Sequence, residues 1–387
     1  MKKMIKALII FSCISPLLLG CQTNKDNKSS IDSVEPTSSS EEKEYNINAI
    51  SPMKNEVVSL ASEEITEMVN NYTFSISASY VSDEDHYASR PVELSWDAKE
   101  DALYYLVELA TNSVLNQATT YVTNIKSIEL DDLKPGYVYY WRVNAYYSEK
   151  LIKSQVFSFE TMAISKSYYM ESVKNFRDMG GYKTIDNKRV KSGMIFRGAN
   201  ADGVNEQDKD FMLHTLNIKS ELDLRNKNEG RRGTNVLGAT NYYVADDNGG
   251  FYYDNYPNGV SQKTGQEVLA REIRLFANRD NYPIYYHCAI GRDRTGSLAM
   301  VLYNLLGVSK KDIGIDYEIS MFAVASTRDI HDDLVEQLVS QVYLIYNYIY
   351  GGYTGNNMQE KTEAFLLDIG ITQLEIDNIK DIMLEDF

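Results

Sequence analysis

Histidine is nearly absent from this 387-residue chain: there are four, His86, His214, His287 and His331. None stands at metal-ligand spacing from another, so no metal and no other cofactor is expected. Cysteine is rarer still, with Cys13, Cys21 and Cys288. The first two fall in or at the end of an apolar N-terminus. That leaves no pair for a structural disulfide, and Cys288 as a free thiol. Positive charge is in deficit: 39 Lys and Arg stand against 55 Asp and Glu, a formal net charge of -16. This balance argues against a nucleic-acid partner but not against a local basic pocket for phosphate. Long apolar runs are missing as well. Ala7 to Leu19 has the length of a signal-peptide core and is too short to span a bilayer as a mature helix. What is plentiful is aromatic surface, with 30 tyrosines. Cores for two or three domains are within reach.

The N-terminus begins with Lys2, Lys3 and Lys6, and its apolar run ends in Leu18-Leu19-Gly20-Cys21. That ending resembles the bacterial lipoprotein box. The resemblance implies a leader at 1–20 and lipidation of Cys21. An ordinary signal peptide with a chance cysteine is the plainer alternative. Residues 21–49 are rich in Ser, Asn, Lys and Glu without apolar periodicity, and read as a tether. The expected localisation is exported, lipid-anchored at the bacterial cell surface or membrane.

Residues 50–162 alternate with period two. Strands are predicted at Val92–Trp96, Tyr104–Ala110, Thr119–Thr123, Ser127–Leu130, Tyr137–Ala145 and Gln155–Phe159, with turn residues between. Trp96 is a core candidate. Leu133-Lys134-Pro135-Gly136-Tyr137-Val138-Tyr139-Tyr140-Trp141-Arg142-Val143 resembles the turn and following strand of a fibronectin type III domain. The resemblance implies an all-β sandwich with Leu133, Tyr139 and Val143 inward. A spacer role is expected; Tyr140 as a carbohydrate- or protein-binding aromatic is the alternative.

Residues 163–387 carry the chemistry. Tyr282-Pro283-Ile284-Tyr285-Tyr286-His287-Cys288-Ala289-Ile290-Gly291-Arg292-Asp293-Arg294-Thr295-Gly296 reads as strand, tight loop and helix. Five residues separate Cys288 from Arg294. A loop of that length can wrap its N–H groups around one tetrahedral oxyanion, with the helix N-terminus aimed at the same point. Arg294 offers a planar fork for two phosphate oxygens. The helix end and Arg294 favour the thiolate of Cys288. The spacing is not that of a nucleotide P-loop. A buried structural cysteine is the bland alternative, and the Gly, Asp, Arg, Thr and Gly around it speak against that.

These residues resemble the cysteine-dependent protein tyrosine phosphatase superfamily, whose loop runs His-Cys-x5-Arg-Ser/Thr. They are most similar to the atypical bacterial tyrosine and lipid phosphatases, with Arg292 where that pattern has lysine. Asn175-Phe176-Arg177-Asp178-Met179-Gly180-Gly181-Tyr182, Val190 to Ala199, and Asp223-Leu224-Arg225 with Glu229 fit the same family. The resemblance implies an α/β catalytic domain with a mostly parallel sheet. It implies Cys288 as nucleophile and Arg294 with the N–H groups of Ala289, Ile290, Gly291 and Arg292 as the phosphate cradle. His287 would orient the loop, and Thr295 would donate to the cysteine sulfur. The Arg292 side chain would reach a second phosphate or an acidic neighbour on the substrate. The leaving group needs an acid. Asp293 is the leading candidate, and Asp246 or Asp247 on a separate loop is the alternative. Arg177 and Asp178 are expected as an ion pair or backbone brace. The expected partner is a phosphorylated protein, chiefly phosphotyrosine with dual specificity, or else a phosphoinositide or inositol phosphate. A catalytically silent surface-binding protein is the remaining alternative. Helices are predicted near Asn205–Leu216, Gln266–Ala277, after Ser309, over Leu334–Tyr350 and after Thr372.

Overall fold

The computed structural model describes residues 47–72, 87–254, 256–324 and 343–386. The leader, Cys13, Cys21, most of the tether, His86, His331 and the first part of the predicted 334–350 helix lie outside the described residues. Two compact units are present. One comprises 47–56, 93–129 and 139–159; the other comprises the rest.

Along residues 47–161 the strands come in the order β1 (Ile47–Ser51), β2 (Glu56–Val58), β3 (Val92–Ala98), β4 (Tyr104–Ala110), β5 (Thr119–Thr123), β6 (Ser127–Leu130), β7 (Val138–Tyr146), β8 (Leu151–Lys153) and β9 (Phe157–Thr161). They form a three-stranded sheet, β1-β3-β6, and a larger one, β2-β9-β7-β4-β5, with β8 on β7. β4 runs antiparallel to β5 and β7, and β1 antiparallel to β3. Alternation puts Leu94 and Trp96 inward from β3, and Trp141 and Val143 inward from β7. The Trp96 ring meets Tyr105 edge-on at 5.2 Å and lies 6.4 Å from Trp141. Tyr139 is buried and stacks on Phe159 at 5.5 Å. Such aromatic pairs add about 0.5–1.5 kcal/mol each beyond the area they bury.

The second unit contains α1 (Glu63–Asn70) and a six-stranded sheet of β10 (Lys166–Ser167), β11 (Arg177–Asp178), β13 (Ile195–Gly198), β14 (Ser220–Asp223), β15 (Asn241–Val244) and β16 (Ile284–His287). Between β11 and β13 lies β12 (Lys188–Val190), which pairs instead with β17 (Leu384–Asp386). The sheet order is β10-β11-β13-β16-β14-β15. β13, β16, β14 and β15 are parallel; β10 and β11 form an antiparallel edge. The sheet is therefore mixed, with the expected parallel pairing at its centre and an antiparallel edge. The reason is connection length: 168–176 between β10 and β11 is shorter than the dozen or more residues a parallel crossover needs.

Helices follow as α2 (Glu206–Asp210), α3 (Lys263–Phe276), α4 (Asp293–Leu306), α5 (Lys310–Val324), α6 (343–352), α7 (Met358–Asp368) and α8 (Gln373–Met383). α2 is short because its last turn widens into a π-turn at Phe211–Thr215. Asn205 caps α2 through Asp208 N–H, and Thr372 with Glu375 forms a capping box on α8. α4 is buried from Thr295 to Leu306, with layers on both sides. β16 is buried at every position because both faces of the sheet are covered. Tyr286 and Cys288 belong to one core; Tyr285 faces the other with Phe176 and Phe196.

Beneath the segment 249–254 lies a buried acid that the sequence reading did not single out. Glu272, on α3, accepts from the Phe251 N–H at 3.1 Å, and its other oxygen has no hydrogen-bond partner among the described residues. Burial pushes its carboxyl up to about 8. The folded state thus holds a proton that the unfolded chain releases near pH 4–5. Its contribution to stability is fully present below that range and is lost as pH rises toward 8. Glu272→Gln should therefore flatten the fall in thermal midpoint between pH 5 and 8, by an amount equivalent to a few kcal/mol. Parallel melting curves for the variant and the parent would disprove it.

Candidate active site

The C-terminal ends of three parallel strands come level at one place. Gly198 of β13 and Asp223 of β14 are both in register with His287 of β16. Open α/β sheets bind ligands at such ends. The chain then leaves β16 through Cys288 and enters α4 at Asp293. The strand–loop–helix reading of 282–296 is what the structure shows.

The loop is shaped by its carbonyls. The Ala289 carbonyl accepts from Asn200 Nδ2 at 2.8 Å, and that of Ile290 from Asn175 Nδ2 at 3.1 Å. Arg197 Nη2 donates to the Gly291 carbonyl at 3.0 Å and reaches that of Arg292 at 3.4 Å. Peptide planarity sets each following N–H opposite its carbonyl. Among the described residues the N–H groups of Ala289, Ile290, Gly291 and Arg292 have no acceptor. A ring of donors is thereby turned toward the inside of the loop. Gly291 makes this possible twice over. Its φ is +71°, and a Cβ there would stand 2.3 Å from the Gly198 carbonyl oxygen.

Arg197 is itself held. Asp316 on α5 bonds Arg197 Nη1 at 2.6 Å and Arg177 Nε at 3.1 Å, all three side chains being buried. Burial works against the Asp316 charge, but the two guanidinium groups outweigh it and keep the carboxyl below its ordinary range. Arg177 and Asp178 therefore do not pair with each other. Asp178 accepts instead from the Gly180 and Gly193 N–H groups. Removing one partner from such a buried network typically costs 3–5 kcal/mol.

Cys288 is buried, with a free thiol. Arg294 lies where its charge and the Cys288 sulfur interact. Its fork is engaged by Glu229: Nη1 meets Oε1 at 2.9 Å and Nη2 meets Oε2 at 2.8 Å. Burial opposes the Glu229 charge, and the two bonds from Arg294 still hold its carboxyl below the usual range. Glu229 thereby fixes the direction of the Arg294 fork. Arg225 is scaffold in fact, bidentate on Asp223 and bonded to Asp202 at 2.8 Å.

Two expectations are corrected, and the alternative acids are found paired elsewhere. The Arg292 side chain is buried and turned onto Asp293, with Nε 2.9 Å from Oδ1, so it does not reach out toward a second phosphate. It turns inward because Asp293 and Met321 supply a partner and a packing surface there. Thr295 Oγ1 is buried without a hydrogen-bond partner among the described residues, so the expected bond to the cysteine sulfur is not formed. Asp246 and Asp247 are occupied elsewhere. Asp246 pairs with Arg271 at 2.8 Å; Asp247, 72% exposed, faces Arg232 and Lys227. Neither hydrogen-bonds any residue of 288–294.

His287 is wholly buried. Nε2 lies 2.8 Å from Glu221 Oε1 and Nδ1 lies 3.2 Å from the Cys288 carbonyl, so both nitrogens face acceptor oxygens and the ring is fixed. Asp293 takes Arg292 and also the Tyr317 hydroxyl, which donates to Oδ1 at 3.0 Å. The segment 249–254 closes one side. Gly249, at φ +85°, leaves room for Arg294 Nη1, which a Cβ would approach to 3.2 Å. Tyr252 and Tyr253 stack at 4.4 Å. Burial, then the neighbouring Asp293, pushes the Tyr252 hydroxyl up to about 12. Asn200, Asp316 and Tyr317 escaped the sequence reading, and Asn175 was named there without a role. Their signal was faint: Asp316, Glu318 and Ser320 interrupt the apolar stretch of α5 at every second residue, a poor fit to a solvent face of period 3.6.

The arrangement can hold a tetrahedral oxyanion over a thiol. Over 168 residues, 38% of this chain, it is 24% identical to a Cupriavidus necator protein that bears the provisional name of a tyrosine-protein phosphatase. The match spans 60% of that relative's length. Among solved structures it is similar to the core catalytic domain of the PP-IP phosphatase SIW14 from S. cerevisiae in complex with citrate. That match has 24% identity, covers 38% of this chain and 78% of that one, and gives a TM-score of 0.27. A second structure of the Siw14 catalytic core shows 20% identity over 41% of this chain and 87% of that one, again at a TM-score of 0.27. Residues 168–385 match the model of the tyrosine phosphatase family, and with more than half its length so matched this chain belongs to that family.

Proposed function

We propose that the chain hydrolyses phosphate monoesters through a phospho-cysteine on Cys288, with phosphotyrosine as leading substrate and phosphoserine or phosphothreonine as further ones. The carrying observation is the loop whose carbonyls are all pinned outward, leaving four N–H donors around Cys288 with Arg294 beside them. The Cys288 thiolate attacks phosphorus in line, forming an S–P bond as the P–O ester bond breaks. The N–H groups and Arg294 meet the equatorial oxygens already oriented. Asp293 gives its proton to the departing oxygen. It then takes one from the water that cleaves the S–P bond, releasing inorganic phosphate and regenerating the thiolate. The stacked Tyr252–Tyr253 pair offers an aryl leaving group an aromatic neighbour.

The inward turn of Arg292 favours a single phosphate over a polyphosphorylated inositol. A phosphate-release screen of residues 46–387 tests this, comparing phosphotyrosine peptides, phosphoserine peptides and inositol phosphates. Phosphotyrosine peptides should be turned over fastest. Preference for an inositol phosphate would overturn the substrate assignment, and no release from any of the three would favour a silent binding protein.

The β strands of 50–162 we read as a fibronectin type III-like spacer, supported by the inward Leu94, Trp96, Tyr139 and Trp141. We read the N-terminus as a lipoprotein leader whose Cys21 carries the anchor. Intact mass of detergent-extracted protein should then show a lipid on residue 21, and a mature chain starting elsewhere would remove the anchor.

A further inference from the structure

We infer that Tyr317 is a positioning residue for the acid: its hydroxyl fixes Asp293 from α5 while Arg292 grips the same carboxyl from the loop. This rests on the reading of Asp293 as the proton donor.

The geometry is unequal at the two carboxyl oxygens. Oδ1 receives two donors, Arg292 Nε at 2.9 Å and the Tyr317 hydroxyl at 3.0 Å. Oδ2 has one longer contact, Arg292 Nη2 at 3.3 Å. Oδ2 is the oxygen left to carry the proton and deliver it. Tyr317 is placed for this by a glycine. A Cβ on Gly296 would stand 2.7 and 2.9 Å from the Tyr317 ring carbons Cδ2 and Cε2, so α4 and α5 approach this closely only with glycine at 296. The ring is buried, and its hydroxyl has few rotations open to it. Burial first, and the Asp293 charge second, push that hydroxyl well above its ordinary range, so it stays a donor across the working pH.

The groups facing Asp293 are Arg292 from the loop, Tyr317 from α5, and Tyr252 and Tyr253 from 249–254, with Arg294 adjoining on α4. Removing one of the two donors on Oδ1 loosens the carboxyl's orientation toward the departing oxygen. The loss should then grow with the leaving group's need for a proton. A merely structural tyrosine would slow all esters alike.

The test is Tyr317→Phe in the full chain, assayed on phenyl phosphate and p-nitrophenyl phosphate across pH. The rate on phenyl phosphate should fall roughly 10-fold at neutral pH, the size of one hydrogen bond to a charged group. The activated nitrophenyl ester, which departs without a proton, should change little. In an Asp293→Asn background Tyr317→Phe should add nothing. Equal slowing of both esters, or a full further loss in the Asp293→Asn background, would overturn the proposal. If the phenylalanine variant does not fold, 3-fluorotyrosine at 317 serves. It alters the strength of the donor and should change the rate on phenyl phosphate far more than that on the nitrophenyl ester, and equal changes there also overturn the proposal. The underlying acid assignment fails separately, if Asp293→Asn alone spares phenyl phosphate.

Discussion

Cys288→Ser is expected to reduce phosphate release by roughly 10⁴-fold or more while leaving phosphate binding in place. Serine is smaller than cysteine, so a position 2% exposed accepts it without a clash. The four pinned carbonyls, Gly291 and the Arg294–Glu229 pair are untouched by the change. What is lost is the nucleophile: a hydroxyl in the same place is neither ionised nor soft. The variant should therefore bind inorganic phosphate or a phosphotyrosine peptide about as tightly as the parent does. A serine variant with parental turnover would mean that Cys288 is a buried structural thiol.

The second large effect belongs to the acid. Asp293→Asn keeps the shape and the contacts to Arg292 and Tyr317 but cannot supply a proton. The rate on phenyl phosphate should fall by roughly 10²- to 10⁴-fold. An activated ester should suffer far less. If Asp293→Asn spares phenyl phosphate while Asp246→Asn or Asp247→Asn shows this leaving-group dependence, the acid sits on the separate loop. The pairing of Asp246 with Arg271 counts against that outcome.

Local chemistry was legible because it is written locally. A strand that must be buried on both faces, five residues, an arginine and a helix start are contiguous, and their geometry follows from backbone rules. The same holds for alternation in β3 and β7 and for the caps at Asn205 and Thr372. What the chain did not disclose is contact at long sequence separation. Asp316 braces the loop from α5 through Arg197, and nothing in the spacing of 197 and 316 announces it. Arg292 shows the limit from the other side. Its residue type suits a second phosphate, but Asp293, Met321 and the packing of α5 decide where it points. Thr295 was misread for the same reason: hydroxyl direction depends on helix entry geometry, which a motif does not specify. The antiparallel edge of β10 and β11 could have been foreseen from the short 168–176 connection.

The most direct measurement is acid-quenched labelling with a phosphotyrosine peptide carrying radioactive phosphate, followed by peptide mapping. The parent and Asp293→Asn chains should carry label on the peptide containing Cys288, and Cys288→Ser should carry none. Release of phosphate by the parent chain with no label trapped at Cys288 in either protein, or label at another residue, would contradict the phospho-cysteine route.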